Sequence, residues 1–382
     1  MKTACIVSEY NPFHNGHKYQ IDVLKKEYDA VLAIMSGNFV QRGGIAVTDK
    51  WTRAKTALLN GVDLVIELPV CYSLNTAERF SYGAVFIADS TGVADCLCFG
   101  SEYGEIDEFI KSAELLNNEP LEISEKISGF MKEGLSYPVA RERAYDGFIK
   151  NELLNNPNNI LGLEYVRALK KINSKIIPKT IKRIGAGYNE TGYTGEFNSA
   201  TGIRELMMSG KDYRKFMPES AWEVIESSVK FYEDELFDIL KFAAITGGLS
   251  QIEEINDVSE GLENKIYRAI KEGKSFFEVA ELIKSKRYTM SRIRRILFSI
   301  ILDLKKDMSA ENPQYIRVLG MNDCGKKLLK EMKEKATLPV IIKTADFSSP
   351  MLSKDILATD VSYLSTKEKT LGMDFLTSPV II

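Results

Sequence analysis

Val7-Ser8-Glu9-Tyr10-Asn11-Pro12-Phe13-His14-Asn15-Gly16-His17 closes a short apolar run at residues 3–7. It opens a helical pattern that begins near His17 and carries Ile21, Val23 and Leu24 on its apolar side. A strand that ends in a polar, proline-containing loop and passes into a helix is the first unit of a parallel sheet. Outward from it, residues 30–35 and 63–68 read as strands, with the glycine-punctuated loop 36–44 and a helix at 50–59 between them. A helix at 77–89 leads to a strand at 96–99 that stops at Gly100, and residues 106–173 are mainly helical, including 138–154 and 160–172. A strand at 175–184 returns to the sheet, a glycine-rich loop follows, and a helix at 200–208 starts from Ser199 as its N-cap. Strands separated by helices of this length predict an α/β domain with a parallel sheet built from right-handed crossovers.

The second half changes character. Amphipathic helical patterns occupy 222–242, 262–272, 276–284, 290–304 and 325–335, and a short strand is expected at 339–343. The sequence therefore predicts an α/β domain at residues 1–217 followed by a mainly helical domain at 218–382.

Bulk composition narrows the function. The chain has 382 residues, 45% of them hydrophobic and 27% charged, with a net charge of -3, so a nucleic-acid partner would have to use a local basic patch. The N-terminal apolar run breaks too early for a secretory signal, and no stretch approaches the roughly 18–20 apolar residues of a membrane span. Cys5, Cys71, Cys96, Cys98 and Cys324 are odd in number and mostly in apolar stretches, as expected of reduced thiols in a cytoplasmic protein. The chain has 2 histidines, and both fall in the quoted segment.

That segment lies where a doubly wound sheet places its ligand, at the carboxyl end of the first strand and the amino end of the first helix. Unpaired N–H groups and the positive helix end favour an anion there. Gly16 lets the backbone come close, His14 and His17 can donate hydrogen bonds to phosphoryl oxygens, and Lys18 adds a point charge. Two plainer readings stand beside this one: a structural His pair, or half of a metal site completed by Cys96 and Cys98. A second anion site is expected at Ser199-Ala200-Thr201-Gly202-Ile203-Arg204, where Ser199 and Thr201 begin a helix and Arg204 lies one turn on. Simple N-capping is its plainer alternative.

His-x-Gly-His after the first strand, with the late Ser-x-Thr-x-Ile-Arg helix, resembles the nucleotidyltransferase superfamily, whose members have a Rossmann-like core and split ATP at the α-phosphate. More narrowly, the chain resembles the bacterial tRNA(Met) cytidine acetate ligases. The matching strings are Glu9-Tyr10-Asn11-Pro12-Phe13-His14-Asn15-Gly16-His17, Met35-Ser36-Gly37-Asn38-Phe39-Val40-Gln41-Arg42-Gly43 and Gly61-Val62-Asp63-Leu64-Val65-Ile66-Glu67-Leu68-Pro69. Phe99-Gly100-Ser101-Glu102, Pro157-Asn158-Asn159-Ile160-Leu161-Gly162 and Tyr315-Ile316-Arg317-Val318-Leu319-Gly320 match as well. The resemblance departs at Gly44-Ile45, where an acidic residue and proline are usual, and at Gly202, where alanine is usual.

The resemblance implies an enzyme that activates acetate with ATP as acetyl-adenylate, releasing pyrophosphate, and acetylates N4 of the wobble cytidine of elongator tRNA(Met). It implies ATP contacts along the quoted segment and on through Lys18, Tyr19 and Gln20, and at Gly100, Asn159, Arg183 and Ile184. Mg2+ is expected with the nucleotide, no resident metal is expected on the protein, and no obligate protein partner is evident. Lys18 and Arg42 are cations that could steer a carboxylate. For tRNA, the densest basic run supplies Lys286, Arg287, Arg292, Arg294 and Arg295, with Tyr288 available for stacking. On a helix, Ile293, Ile296, Leu297 and Ile300 would be buried and Arg295 would face solvent; a merely solvated face is the alternative. Two other functions remain in view: transfer of AMP to a small phosphate-bearing acceptor, and a non-catalytic RNA-binding protein with a relic nucleotide site.

Overall fold

All seven residues of Ala30–Ser36 are buried, the signature of a central parallel strand covered on both faces. The computed structural model describes residues 1–183, 197–259 and 261–382. Its strands are β1 (Thr3–Ser8), β2 (Ala30–Ser36), β3 (Phe39–Val40), β4 (Gly44–Ile45), β5 (Leu64–Leu68), β6 (Cys96–Ser101), β7 (Ile177–Lys182), β8 (Ile316–Met321), β9 (Val340–Ile341) and β10 (Val380–Ile381). The main sheet has the order β10-β8-β5-β2-β1-β6-β7, with β9 also on β8. From β5 to β7 every pairing is parallel. Setting aside the separate antiparallel β3–β4 hairpin, those strands run 3-2-1-4-5, the doubly wound order, and the chain reverses direction across the sheet between β1 and β6.

The pleat divides β2 between two cores. Ala30, Leu32 and Ile34 join Phe80, Ala84, Leu163 and Val166 of helices Ala77–Ser90 and Pro157–Lys171. Val31, Ala33 and Met35 join Ile21 and Leu24 of helix Asn15–Leu24, and Trp51, Ala54 and Ala57 of helix Lys50–Leu59. Alternation of side chains along a strand sends successive residues to opposite layers.

The structure places the division of the chain differently from the boundary expected at residue 217. Helix Glu219–Glu226 packs its Ala221 and Ile225 into the same core as helix Lys50–Leu59. Later, β8 adds antiparallel to β5 and carries β9 and β10 with it. The helical module is Phe237–Glu254, Leu262–Glu272, Phe276–Ile283 and Met290–Leu302, an excursion between two parts of the sheet. The helix expected across 222–242 is broken. Phe231 donates its N–H to Val47 O (3.1 Å), and Tyr232 donates its own to Ser365 Oγ (3.3 Å), so this stretch bridges neighbours instead of continuing a helix.

Buried charge fastens the returning strand. Lys50, fully buried, pairs with Glu67 (2.8 Å) and Asp374 (2.8 Å), while Arg317 on β8 reaches Glu67 at 3.1 Å. Removing one member of such a set leaves an unpaired buried charge, at a cost of about 3–5 kcal/mol.

Candidate active site at the β1 switch point

Helix Asn15–Leu24 starts with a reciprocal cap made by the two histidines. His14 is the N-cap, and its Nδ1 accepts the Gly16 N–H at 3.0 Å. His17 Nδ1 accepts the His14 N–H at 3.2 Å. The rings stack with centroids 3.7 Å apart, and Tyr10 meets His17 edge-on at 4.9 Å. Because each Nδ1 accepts a backbone proton, each neutral ring carries its own proton on Nε2. Burial, with the Arg183 charge second, lowers the His14 pKa to about 3. Burial, then His14 and Arg183, hold His17 well below its ordinary value. The pair is thus two neutral Nε2–H donors across the physiological range. Gly16 fits this cap for an added reason: a Cβ there would lie 2.9 Å from His14 Cε1.

The rest of the quoted segment is held from below. Val7 and Ser8 end β1, and Ser8 Oγ accepts the Tyr10 N–H at 3.3 Å. Tyr10 has φ 44°, a left-handed conformation uncommon for an aromatic residue. Asn11 Oδ1 accepts from Val47 N (2.8 Å), while Phe13 is wholly buried beside Pro12. Asn15 Nδ2 donates to Lys215 O (3.0 Å) and Gln20 Nε2 to Cys98 O (3.2 Å); Tyr19 is half-buried on the same helix. Lys18, on the same helix, is paired with Asp22 one turn along at the surface.

Neighbouring strands bring further groups. Gly100 lies on β6 where a Cβ would meet Arg183 Cγ at 3.3 Å, and Arg183 leaves β7 with its Nε 3.8 Å from Glu102 Oε1. Asn159, fully buried at the start of helix Pro157–Lys171, accepts from Glu102 N (2.9 Å) and Tyr103 N (3.2 Å), and donates to Glu152 O (2.9 Å). Its side chain is committed to shaping the β6 turn. Ile184 and the glycines of the loop beyond it lie outside the described residues.

The second helix start does converge on the first. Ser199 Oγ caps helix Ala200–Met208 by accepting from Gly202 N (3.1 Å). Arg204 donates to Asn11 O (2.7 Å) and to Thr201 Oγ1 (3.0 Å), bridging the two motifs. Burial lowers the Arg204 pKa, and the nearby Arg42 and Arg294 lower it further against the pull of Glu9. A concentration of cations around one loop suits a polyanion.

Sequence reasoning missed Arg53. It is fully buried and donates to Thr48 O (3.2 Å), Glu9 O (2.7 Å), Ser36 O (3.1 Å) and Gly37 O, tying together the loops after β1 and β2. The available signal was that Lys50 and Arg53 share the i, i+3, i+4, i+7 face with Ala54 and Ala57.

The basic run corrects another expectation. Arg295 does not face solvent: it is 8% exposed and pairs with Asp257 at 2.9 Å. Arg292 bonds the Asp257 carbonyl (2.8 Å) and carboxylate (3.2 Å), and Arg294 pairs with Glu233 and donates to Gly43 O (2.7 Å). Lys286 and Arg287 are exposed. As for the metal alternative, Cys96 and Cys98 sit in the core, with burial pushing the Cys98 thiol up to about 12. Among the described residues there is no group of three or more His, Cys, Asp or Glu that could hold a metal ion.

A 3-2-1-4-5 sheet with a His-x-Gly-His cap at its reversal point defines the nucleotidyltransferase class. The family model described as HIGH Nucleotidyl Transferase matches residues 1–374. A tRNA(Met) cytidine acetate ligase of Thermoanaerobacter sp. (strain X514) is 42% identical, with 97% of each chain covered. Its namesake from Clostridium novyi is 40% identical over 100% of both chains. The crystal structure of Thermotoga maritima TmcAL bound with alpha-thio ATP has a TM-score of 0.90 and 32% identity over 100% of both chains; the apo form gives 0.91 and 33%. The chain belongs to the family of the tRNA(Met) cytidine acetate ligases.

Proposed function

We propose that this chain is an ATP-dependent, AMP-forming ligase that acetylates N4 of the wobble cytidine of elongator tRNA(Met). The observation that carries the reading is the paired imidazoles, neutral and Nε2-protonated, at the point where the sheet reverses. Full-length similarity to enzymes named for this reaction supports it.

In the first step an acetate oxygen bonds to the α-phosphorus while the bond to the bridging oxygen breaks and pyrophosphate leaves. In the second, N4 bonds to the acyl carbon, AMP departs and N4 gives up a proton. His14 and His17 donate to phosphoryl oxygens as charge builds in the first step, and positioning does the rest. ATP lies along the segment from Val7 to Gln20, with Gly100, Arg183, Ser199, Thr201 and Arg204 around it and Asn159 shaping the β6 turn. Mg2+ would accompany the triphosphate and supply charge neutralisation on its oxygens. For tRNA, Lys286 and Arg287 are the members of the basic run that present an exposed face. No helix among the described residues is long and apolar enough to cross a membrane, and a tRNA substrate supports a cytoplasmic location.

Incubation with labelled ATP and acetate, with and without tRNA, tests the reading. Acetylated cytidine, AMP and pyrophosphate are expected. AMP transfer to a small acceptor without tRNA, or no turnover with retained RNA binding, would replace it with one of the two other readings.

A further inference from the structure

The β3–β4 hairpin touches both the nucleotide loop and the basic helix. On one side of its turn, Gln41 N donates to Glu9 Oε1 (2.7 Å), and Gln41 Nε2 donates to Asn75 O (3.1 Å). Arg42, exposed at the tip, acts with Arg204 and Arg53 on Glu9, whose burial raises its pKa against them. On its other side the turn rests on helix Met290–Leu302. Gly43 has φ 75°, and a Cβ there would lie 2.5 Å from Arg295 N and 2.8 Å from Arg294 C. Such an approach of backbone to backbone is open only to glycine. Arg294 spans the junction, donating from Nε to Gly43 O (2.7 Å) and from Nη2 to Glu233. Phe39, at the base of the hairpin, packs on Phe298 of the same helix at 5.4 Å.

We propose that Arg294 is a positioning residue for the nucleotide step: it seats the hairpin turn on the helical module and so holds Gln41 and Arg42 over Glu9. This inference rests on the ATP site proposed above. Its guanidinium serves two acceptors in different segments from two separate nitrogens of one planar fork, a spread that the point charge of an ammonium does not reproduce. A phosphate contact would need only the charge, which makes lysine the informative replacement.

The full-length chain carrying Arg294→Lys, Gly43→Ala or Glu233→Gln is measured for ATP dissociation constant without tRNA. Acetate-dependent ATP–pyrophosphate exchange and tRNA affinity at two salt concentrations are measured alongside. Arg294→Lys and Gly43→Ala are expected to weaken ATP binding and raise its KM roughly tenfold, with tRNA affinity within about twofold of the parent. Glu233→Gln, which keeps the shape of the anchor, should shift ATP in the same direction by less. Weaker tRNA binding with a flatter salt dependence and unchanged ATP binding in Arg294→Lys would overturn the proposal; so would no change in either. If the parent binds ATP but shows no acetate-dependent exchange, the ligase reading fails while the ATP dissociation constants still decide the role of Arg294.

Discussion

The histidine cap and the basic helix are both dense in groups suited to phosphate, yet the protein treats them in opposite ways. At His14 and His17 the backbone takes one nitrogen of each ring and leaves Nε2–H without a partner among the described residues. On helix Met290–Leu302, Arg292, Arg294 and Arg295 are spent on Asp257, Glu233 and Gly43. The difference teaches that a residue's capacity for a ligand is what remains after its own fold has been served. A string of arginines overstates that capacity, and a pair of half-satisfied imidazoles understates it.

The contrast can be broken most severely at the cap. His17→Ala should lower kcat/KM for the ATP step at least about 100-fold while costing about 1 kcal/mol of stability through the lost cap bond; near-parental rates would remove the role assigned to the ring. Arg295→Ala should instead act on the fold, lowering unfolding free energy by about 2–3 kcal/mol because Asp257 loses a partly buried partner. Denaturant titration beside a tRNA binding assay would separate that from a loss of RNA affinity. Lys286→Ala should leave the melting temperature alone and weaken tRNA binding a few-fold, reducing the salt slope by about 1.

The smallest effect expected is none at all. With the His14 pKa at about 3 and His17 well depressed, the ATP step should show no inflection near 6.5. Stability carries the titration instead. The unfolded imidazoles take up protons below about 6.5 while the folded ones do not, so the contribution is complete above that pH and declines as pH falls towards 3. An acid limb in the rate near 6.5 would show that a ring becomes charged during turnover and would contradict the assigned tautomers.

Much of this was legible in the sequence where the physics is local. Helices at 50–59 and 262–272 match Lys50–Leu59 and Leu262–Glu272 because caps and apolar spacing lie within the segment itself. Ser199 caps its helix as read. β8 was met only as a matching string, Tyr315 to Gly320, because a lone strand after a helical stretch declares its partner nowhere nearby. Helix Pro350–Leu364 went unread although Ser349 and Pro350 offered an N-cap and a first-turn proline. The histidines were found because they had no competitors in the chain. The burial of Arg295 was not, since it depends on Asp257, brought close only by the turn of the module.

The late arrival of β8 bears on biosynthesis. Until residues beyond Met321 have left the ribosome, β5 keeps a bare flank of hydrogen-bonding groups, and Glu67 and Lys50 lack Arg317 and Asp374. A nascent chain stalled after helix Met290–Leu302 would expose an open template for pairing with other chains. Protection of that flank by a chaperone, or speed through the last stretch of translation, becomes part of making the enzyme.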